Sequence, residues 1–185
     1  IGERFLRAGP AYGGSCFPKD TRALIETANQ FKTNLSIVKS VISSNENRKL
    51  LLTKKLEKIL HGKLKNKIIT FLGVTFKPNT DDMREASSIP MIKYLNKRKS
   101  NVRYYDPSGE KHEFKKLKNV KYFNNISSAC FNTDLIVLHT EWNDFKLLNF
   151  KKIVKKNKFK VFDMRNIYSP SKMKKLKIDY FGIGR

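Results

Sequence analysis

Cysteine is nearly absent from this sequence, and its scarcity limits the chemistry that fits it. Only Cys16 and Cys130 occur, and neither lies in a Cys-x-x-Cys pair or at a metal-ligand spacing to histidine. A disulfide framework and a structural zinc site are therefore not expected. We predict a protein without a bound metal that works in a reducing compartment and is hence cytoplasmic.

Long apolar runs and nucleotide-binding glycine motifs are also absent. No stretch of 18 apolar residues occurs, so neither a membrane span nor a membrane partner is expected. The chain opens on Ile1 without an apolar signal segment, which favours a fragment of a longer protein without a secretory leader. Neither Gly-x-Gly-x-x-Gly nor Gly-x-x-x-x-Gly-Lys-Ser/Thr occurs, so the pyrophosphate-binding half of any dinucleotide site is expected outside these residues.

Acidic residues are scarce, with 16 against 39 basic residues and a formal net charge of +23 over the 185 residues. Such a charge raises the hypothesis of a nucleic-acid partner. However, lysine outnumbers arginine 30 to 9, although arginine is the preferred reader of phosphates and base edges. The lysines come with 16 asparagines, and both residue types are encoded by AT-rich codons. We therefore attribute most of the charge to composition, expect no nucleic-acid partner, and keep a basic binding module as the less favoured alternative.

The apolar patterns predict an α/β fold in two parts. Residues 1–18 are rich in glycine, proline and aromatics and indicate an ordered loop, and helical spacing follows over 19–31 and 34–61. Helical segments then alternate with short apolar runs, which predict strands at 68–72, 102–105, 120–123, 135–138, 159–162 and 178–181. This alternation indicates a doubly wound, Rossmann-like parallel sheet. We place the helical segment at 1–64 and the α/β domain at 65–185.

Cys16 is the strongest candidate for a reactive group. It follows Gly13 and Gly14, which let backbone approach a ligand closely, and it precedes a helix start, where N–H groups favour a negatively charged sulfur. Lys19 and Asp20 follow three and four positions later. A thiol beside a cation and a carboxylate is what covalent acyl chemistry requires. The alternative is that Cys16 is a small buried apolar residue.

Three further segments follow predicted strand ends, where α/β sheets bind ligands. Residues 71–85 form a polar loop in which Lys77 and Arg84 are placed to meet phosphates, and residues 162–170 bring Arg165 to the same rim. His139 follows the most apolar strand and is a candidate acid–base group. The alternatives are solvated loops for the first two segments and a structural histidine for the third. Cys130 is expected in the core.

Taken in this order, the segments resemble the C-terminal part of the UDP-glucose/GDP-mannose dehydrogenase family. Residues 9–20 are similar to the family's catalytic-cysteine motif, residues 71–85 to its second signature, and residues 161–185 to its closing strand–loop–strand. The resemblance covers essentially the whole chain. It implies an NAD-dependent, two-step oxidation of a sugar-nucleotide CH2OH to a carboxylate, through a thiohemiacetal and a thioester on the cysteine.

The resemblance also implies roles for individual residues. Cys16 would be the nucleophile, and Asp20 would assist proton transfer and the activation of water. Contacts with the substrate are implied for Phe5, Leu6, Gly9, Tyr12, Gly13, Phe76, Lys77 and Arg165. Contacts with NAD are implied for Lys19 and Arg84.

The same resemblance implies a homodimer formed through the long helix 34–61. UDP-glucose is the favoured substrate, with GDP-mannose or a UDP-N-acetyl amino sugar as alternatives. Family members carry an N-terminal NAD-binding domain that these residues do not contain, so we expect the chain alone to be inactive. Ala11 stands where the family usually has glycine, and if that position requires a positive φ, alanine would cost about 1 kcal/mol.

Overall fold

The computed structural model describes residue 2 and residues 6–184, and its centre is a six-stranded parallel sheet. The strands lie in the order β3-β2-β1-β4-β5-β6. All six predicted strands are confirmed to within one residue at either end. Their bounds are β1 Ile68–Leu72, β2 Asn101–Tyr105, β3 Val120–Tyr122, β4 Leu135–Leu138, β5 Lys160–Asp163 and β6 Asp179–Gly182.

The strand order reverses between the two central strands, β1 and β4. Their register pairs Ile69 with Leu135 and Phe71 with Val137, and every residue of β4 is buried. Two buried faces explain why β4 is a continuous apolar run rather than an alternating one. In sheets of this topology, ligands bind beyond the carboxyl ends of the strands where the order reverses. The loops after β1, β4 and β5 therefore form the expected binding rim.

Six α-helices surround or precede the sheet: α1 Cys16–Gln30, α2 Ser36–Ile59, α3 Ser88–Lys97, α4 Ile126–Cys130, α5 Phe150–Val154 and α6 Pro170–Lys175. Helix α1 begins three residues earlier than predicted, at Cys16 itself. Pro18 lies in its first turn, where a missing N–H leaves no helical hydrogen bond unmade. The sequence did not predict α4 or α6, because segments of five or six residues are too short to show a helical period.

The core consists of two apolar clusters, one on each face of the sheet. The C-terminal half of α2 belongs to the first cluster, since Leu52, Leu56 and Ile59 are buried with Phe71. A hydrogen bond of 2.7 Å from Tyr94 Oη to Glu57 also joins α3 to α2. The helical segment and the sheet thus share one core.

The N-terminal half of α2 and the outer face of α1 remain uncovered by the rest of the described chain. Ile37 and Val41 of α2 are 79% and 41% exposed, Leu24 of α1 is 49% exposed, and Phe31, directly after α1, is 75% exposed. Within residue 2 and residues 6–184, no helix combines the length and the apolarity needed to cross a membrane.

Candidate active site

The loop before α1, residues 9–14, is fastened to α2 by two polar side chains. The amide of Tyr12 donates to Asn45 Oδ1 at 2.9 Å, and Asn45 Nδ2 donates back to the carbonyl of Tyr12 at 3.2 Å. One turn further, Arg48 donates from Nε and Nη2 to the carbonyl of Gly9, at 3.2 and 2.8 Å. These bonds set the position of the loop backbone before any ligand binds.

The loop after β1 holds the opposite side of this segment. The amide of Gly14 donates to the carbonyl of Arg84 at 2.8 Å. A Cβ on Gly13 would lie 2.7 Å from the carbonyl oxygen of Glu85, and one on Gly14, where φ is +83°, would lie 2.8 Å from the ring of Phe76. Both glycines are thus required by close approach, because the Cβ of any other residue would force the two loops apart.

Arg165 is the buried cation of the rim. Its Nε donates to the carbonyl of His139 at 2.9 Å and its Nη2 donates to the carbonyl of Phe76 at 3.0 Å. Its side chain is only 13% exposed, and burial lowers the pKa of the guanidinium while Glu141 raises it. Glu141 Oε2 lies 2.9 Å from Nε but forms no hydrogen bond of good geometry, so the contact is an ion pair only. A Cβ on Gly9 would lie 2.8 Å from Nη1.

His139 is a structural residue and does not fit the acid–base hypothesis. It is fully buried, with Nε2 2.8 Å from Ser87 Oγ and Nδ1 3.1 Å from Thr140 Oγ1. Burial, together with the nearby Arg165, lowers its pKa to about 3. The ring is therefore neutral at ordinary pH and helps to hold the rim. Cys130 lies in the core as expected, where burial raises its pKa to about 12.

Cys16 is exposed, so the alternative of a small buried apolar residue is wrong for it. It is the first residue of α1, and its Sγ lies 3.7 Å from Ser15 Oγ. Asp20 follows one helical turn later, and such pairs share a helix face with about 5–6 Å between Cβ atoms. The ammonium of Lys19 lies 3.3 Å from the carboxylate of Asp20, and both side chains are exposed. A thiol, a carboxylate and a cation therefore lie together on an open surface.

Two other predicted cations lie on the loop after β1. Lys77 is exposed, with Nζ 5.2 Å from the centroid of the Phe76 ring. Arg84 is exposed as well, and its guanidinium donates to both oxygens of Asp82 at 2.9 and 2.8 Å. This hydrogen bonding raises the pKa of Arg84, and the Cys16 thiol contributes to the same shift as a weaker electrostatic partner.

The structure brings together Gly9, Tyr12, Gly13, Phe76 and Arg165 of the predicted substrate set. Leu6 is 75% exposed, and Phe5 lies outside the described residues. Ala11 is not among the residues with a positive φ, so the expected strain at this position is absent.

Sequence reasoning missed the residues that clamp the cysteine loop. Asn45, Arg48 and Lys49 come from α2, and Glu85 comes from the loop after β1. Asn45 and Lys49 are each only 7% exposed. The signal was the polar run 44–49, which interrupts the apolar stripe between Ile42 and Leu51. Polar residues at inward positions of a helix indicate partners elsewhere in the fold.

Together the fold and the site define a Rossmann-like α/β protein with an exposed cysteine thiol beside a cationic strand-end rim. Residues 70–170 match the UDP binding domain of the UDP-glucose/GDP-mannose dehydrogenase family, and residues 1–47 match its central domain. The chain therefore belongs to the UDP-glucose/GDP-mannose dehydrogenase family.

Individual relatives agree with this assignment. The chain is 41% identical to UDP-glucose 6-dehydrogenase of Rickettsia felis and 38% identical to that of Bacillus subtilis, over all of its own length and 42% of theirs. It therefore spans less than half of these relatives. It also resembles the solved structure of a UDP-glucose dehydrogenase from Pyrobaculum islandicum, with 29% identity and a TM-score of 0.81 over 98% of this chain and 40% of that one.

Proposed function

We propose that this chain is the cysteine-bearing and sugar-nucleotide-binding part of an NAD-dependent UDP-glucose 6-dehydrogenase that makes UDP-glucuronate. The observation that carries the proposal is the direct clamp between the Cys16 loop and the cationic rim after β1 and β5. It joins a nucleophile to a diphosphate-binding surface in one site. The names of relatives at about 40% identity support UDP-glucose as the substrate.

In this proposal, the diphosphate binds at Lys77 and Arg165. Lys77 is exposed, whereas Arg165 is buried and already oriented by two backbone carbonyls. Charge-assisted hydrogen bonds to such a desolvated guanidinium are stronger than those to surface lysines. The backbone of residues 6–13, with Gly9, Tyr12 and Gly13, lines the sugar-nucleotide side of the site.

Cys16 and Asp20 carry the covalent chemistry. The C6 alcohol loses a hydride and a proton to give an aldehyde, and the Cys16 sulfur adds to the carbonyl carbon to form a thiohemiacetal. Loss of a second hydride from carbon and of the hydroxyl proton leaves a thioester on Cys16, which water cleaves to a carboxylate and free thiol. Asp20, one turn from Cys16, is placed to accept protons from these steps and to orient the water.

Residues that fit NAD lie on the open side of the thiol. When bound, NAD would accept one hydride in each oxidation, so one turnover would consume two NAD molecules. Lys19 in the first turn of α1 and Arg84 on the loop after β1 are exposed cations near Cys16, which suits a dinucleotide phosphate. We place the pyrophosphate-binding glycine motif outside these 185 residues, because none occurs within them.

We also propose the separate roles that the sequence predicts for the two parts of the chain. Residues 1–64 carry the cysteine loop and a homodimer face, and residues 65–185 bind the UDP-sugar. A GDP-mannose or UDP-N-acetyl amino sugar substrate is the alternative that a binding panel must exclude.

The test measures NADH formation by the full-length protein with UDP-glucose, GDP-mannose and UDP-N-acetylglucosamine, alongside calorimetric binding of each to the 185-residue chain. We expect turnover and tightest binding with UDP-glucose, and binding without NADH formation by the 185 residues alone. Cys16→Ser should abolish UDP-glucuronate formation while leaving UDP-glucose binding within threefold of wild type. Turnover of another sugar nucleotide alone would contradict the substrate, and tight salt-dependent binding of generic DNA without turnover would favour the nucleic-acid alternative.

A further inference from the structure

Glu85 joins three segments of the chain through a closed ring of four charges. Its carboxylate accepts from Arg22 Nη1 of α1 at 2.9 Å and from Lys49 Nζ of α2 at 3.3 Å. Lys49 also donates to Glu46 at 2.9 Å, and Glu46 lies 3.9 Å from Arg22 Nη2. Positive and negative groups alternate around the ring, so every charge has an opposite neighbour on both sides.

We propose that Glu85 is a positioning residue that fixes the thiol of Cys16 relative to the bound sugar nucleotide, an inference that rests on the proposed function. Arg22 and Cys16 belong to the same helix, six residues apart, which corresponds to about 9 Å along its axis. Holding Arg22 therefore holds the first turn of α1 and the sulfur with it. Glu85 itself ends the loop that carries Phe76 and Lys77.

The backbone of Glu85, like its side chain, holds the segment that carries Cys16. Its carbonyl oxygen is the atom that a Cβ on Gly13 would meet at 2.7 Å, and the preceding carbonyl accepts from Gly14. Glu85 has φ of +55°, an unfavourable conformation for a residue with a Cβ. Strained residues persist where the surrounding structure holds them, and they concentrate at functional sites.

The four charged side chains of the ring differ in how far they are buried, and we expect the more buried ones to matter more. The side chain of Lys49 is 8% exposed and that of Glu85 34%, whereas the side chains of Arg22 and Glu46 are about half exposed. The hydrogen bond from Arg22 lowers the pKa of Glu85 despite partial desolvation, with Lys49 acting in the same direction. In a Glu85→Gln variant, Lys49 retains Glu46 as its partner, so no buried ammonium is left alone and the fold is expected to persist.

Glu57 offers a matched control. It also accepts from two partners across a helix interface, Tyr94 Oη at 2.7 Å and Arg98 Nη2 at 2.8 Å, and it joins α2 to α3. Neither partner belongs to the cysteine loop or to the loop after β1. Glu57→Gln therefore removes a similar network without touching the proposed path to Cys16.

The experiment compares wild type, Glu85→Gln, Arg22→Gln and Glu57→Gln by two measurements. The first is the alkylation rate of Cys16 by iodoacetamide in the 185-residue chain, with and without saturating UDP-glucose, with buried Cys130 as the unreactive reference. The second is the separation of kcat from KM in the full-length protein.

We expect UDP-glucose to slow alkylation of Cys16 at least tenfold in wild type and Glu57→Gln, and less than threefold in Glu85→Gln at equal saturation. In the full-length protein, kcat should fall about tenfold in Glu85→Gln, with KM within twofold of wild type. The kcat of Arg22→Gln should lie between those of Glu85→Gln and wild type. If Glu85→Gln does not fold, Arg22→Gln alone decides, since Arg22 is half exposed.

Three results would overturn the positioning role: full protection and unchanged kcat in Glu85→Gln, an equal loss in Glu57→Gln, or a rise in KM without a fall in kcat. A wild-type protein that binds UDP-glucose without producing NADH would instead contradict the proposed function, and the alkylation comparison would still test the positioning of Cys16. If the chain binds no UDP-glucose, both proposals fail.

Discussion

Gly9 lies against the buried guanidinium of Arg165, and the space between them is smaller than a methyl group needs. Because Arg165 is held by the carbonyls of His139 and Phe76, it has little freedom to retreat. We predict that Gly9→Ala displaces the guanidinium and weakens UDP-glucose binding about tenfold, measured by calorimetry. Gly2→Ala, which meets nothing within 4 Å, should leave binding unchanged, and equal affinities for the two variants would contradict this role of Gly9.

Lys77 differs from the other lysines because it stands on the binding rim above the Phe76 ring. We predict that Lys77→Ala raises the Kd for UDP-glucose by about tenfold to a hundredfold, because a charge-assisted hydrogen bond contributes roughly 1.5–3 kcal/mol. The same substitution at Lys63, exposed just beyond the end of α2, serves as the control. An unchanged affinity in Lys77→Ala would remove Lys77 from the substrate site.

His139 gives the protein a pH dependence of stability with a definite sign. Its folded pKa of about 3 lies below its ordinary value of 6.5, so the unfolded chain binds a proton that the folded chain excludes. Stability should therefore fall as pH falls from about 6.5 toward 3, by up to about 1.4 kcal/mol per pH unit. Urea unfolding at pH 7, 6 and 5 should show this slope in wild type and a smaller one in His139→Gln. Asp163, whose burial raises its pKa, contributes the opposite slope to both proteins.

At the scale of elements, α2 combines a packing half with a binding half. Leu52, Leu56 and Ile59 hold it to the sheet, while Asn45 and Arg48 hold the cysteine loop. Such a division is visible in the sequence only as a polar run inside an apolar period. The structure explains why these residues are polar, because their side chains form hydrogen bonds with backbone groups of residues 9–12.

Substitution of Asn45 tests whether this half of α2 holds the cysteine loop. Its amide satisfies both the N–H and the carbonyl of Tyr12, and the residue is 7% exposed. We predict that Asn45→Ala lowers the free energy of unfolding by about 1–3 kcal/mol, because two backbone groups lose their partner. Asn47→Ala, on the exposed side of the same turn, should change it by less than about 0.5 kcal/mol. A loss of equal size in both variants would contradict this role of Asn45, because helix propensity alone predicts a gain in stability from Asn→Ala.

At the scale of the whole molecule, the uncovered apolar face of α1 and α2 determines the expected assembly. Ile37, Val41 and Leu51 lie on α2 with 79%, 41% and 63% of their surface exposed. Apolar patches of this kind mark interaction surfaces. The proposed homodimer through helix 34–61 would bury them against their copies around a two-fold axis.

We predict that sedimentation shows a dimer for the wild-type protein and a monomer for the double variant Ile37→Asp, Val41→Asp. Charged residues within a buried apolar interface are strongly unfavourable, so association should weaken by at least a hundredfold. Leu147→Asp, at a 95% exposed position in the loop between β4 and α5, is the control and should remain dimeric. A monomeric wild type, or a dimer that survives the double variant, would exclude this face.

The net charge of +23 is a property of the whole molecule, and it does not indicate which cations form the site. Within the described part of the chain, few basic residues lie on the loops after β1, β4 and β5, and Arg165 is largely buried there. A surface of solvated lysines promotes nonspecific association with polyanions, whereas a desolvated guanidinium selects a small diphosphate.

The sequence by itself determined the sheet and the chemical inventory of the site. Strand β4 could be predicted because a continuous apolar run is the direct consequence of burial on two faces. Cys16 could be proposed as the reactive group because its glycines and helix start are adjacent in the chain. Both signals are local, so no knowledge of distant segments was needed.

Only the tertiary structure decided which residues hold the site together. Glu85 meets Arg22 across 63 positions and Lys49 across 36, and Gly9 meets Arg165 across the whole α/β domain. His139 was an acid–base candidate in the sequence and a neutral buried residue in the fold, because its environment comes from Ser87, Thr140 and Arg165 rather than from its neighbours alone. Local pattern fixes an element and its reactive groups, whereas burial and charge pairing depend on contacts that form only when the elements pack.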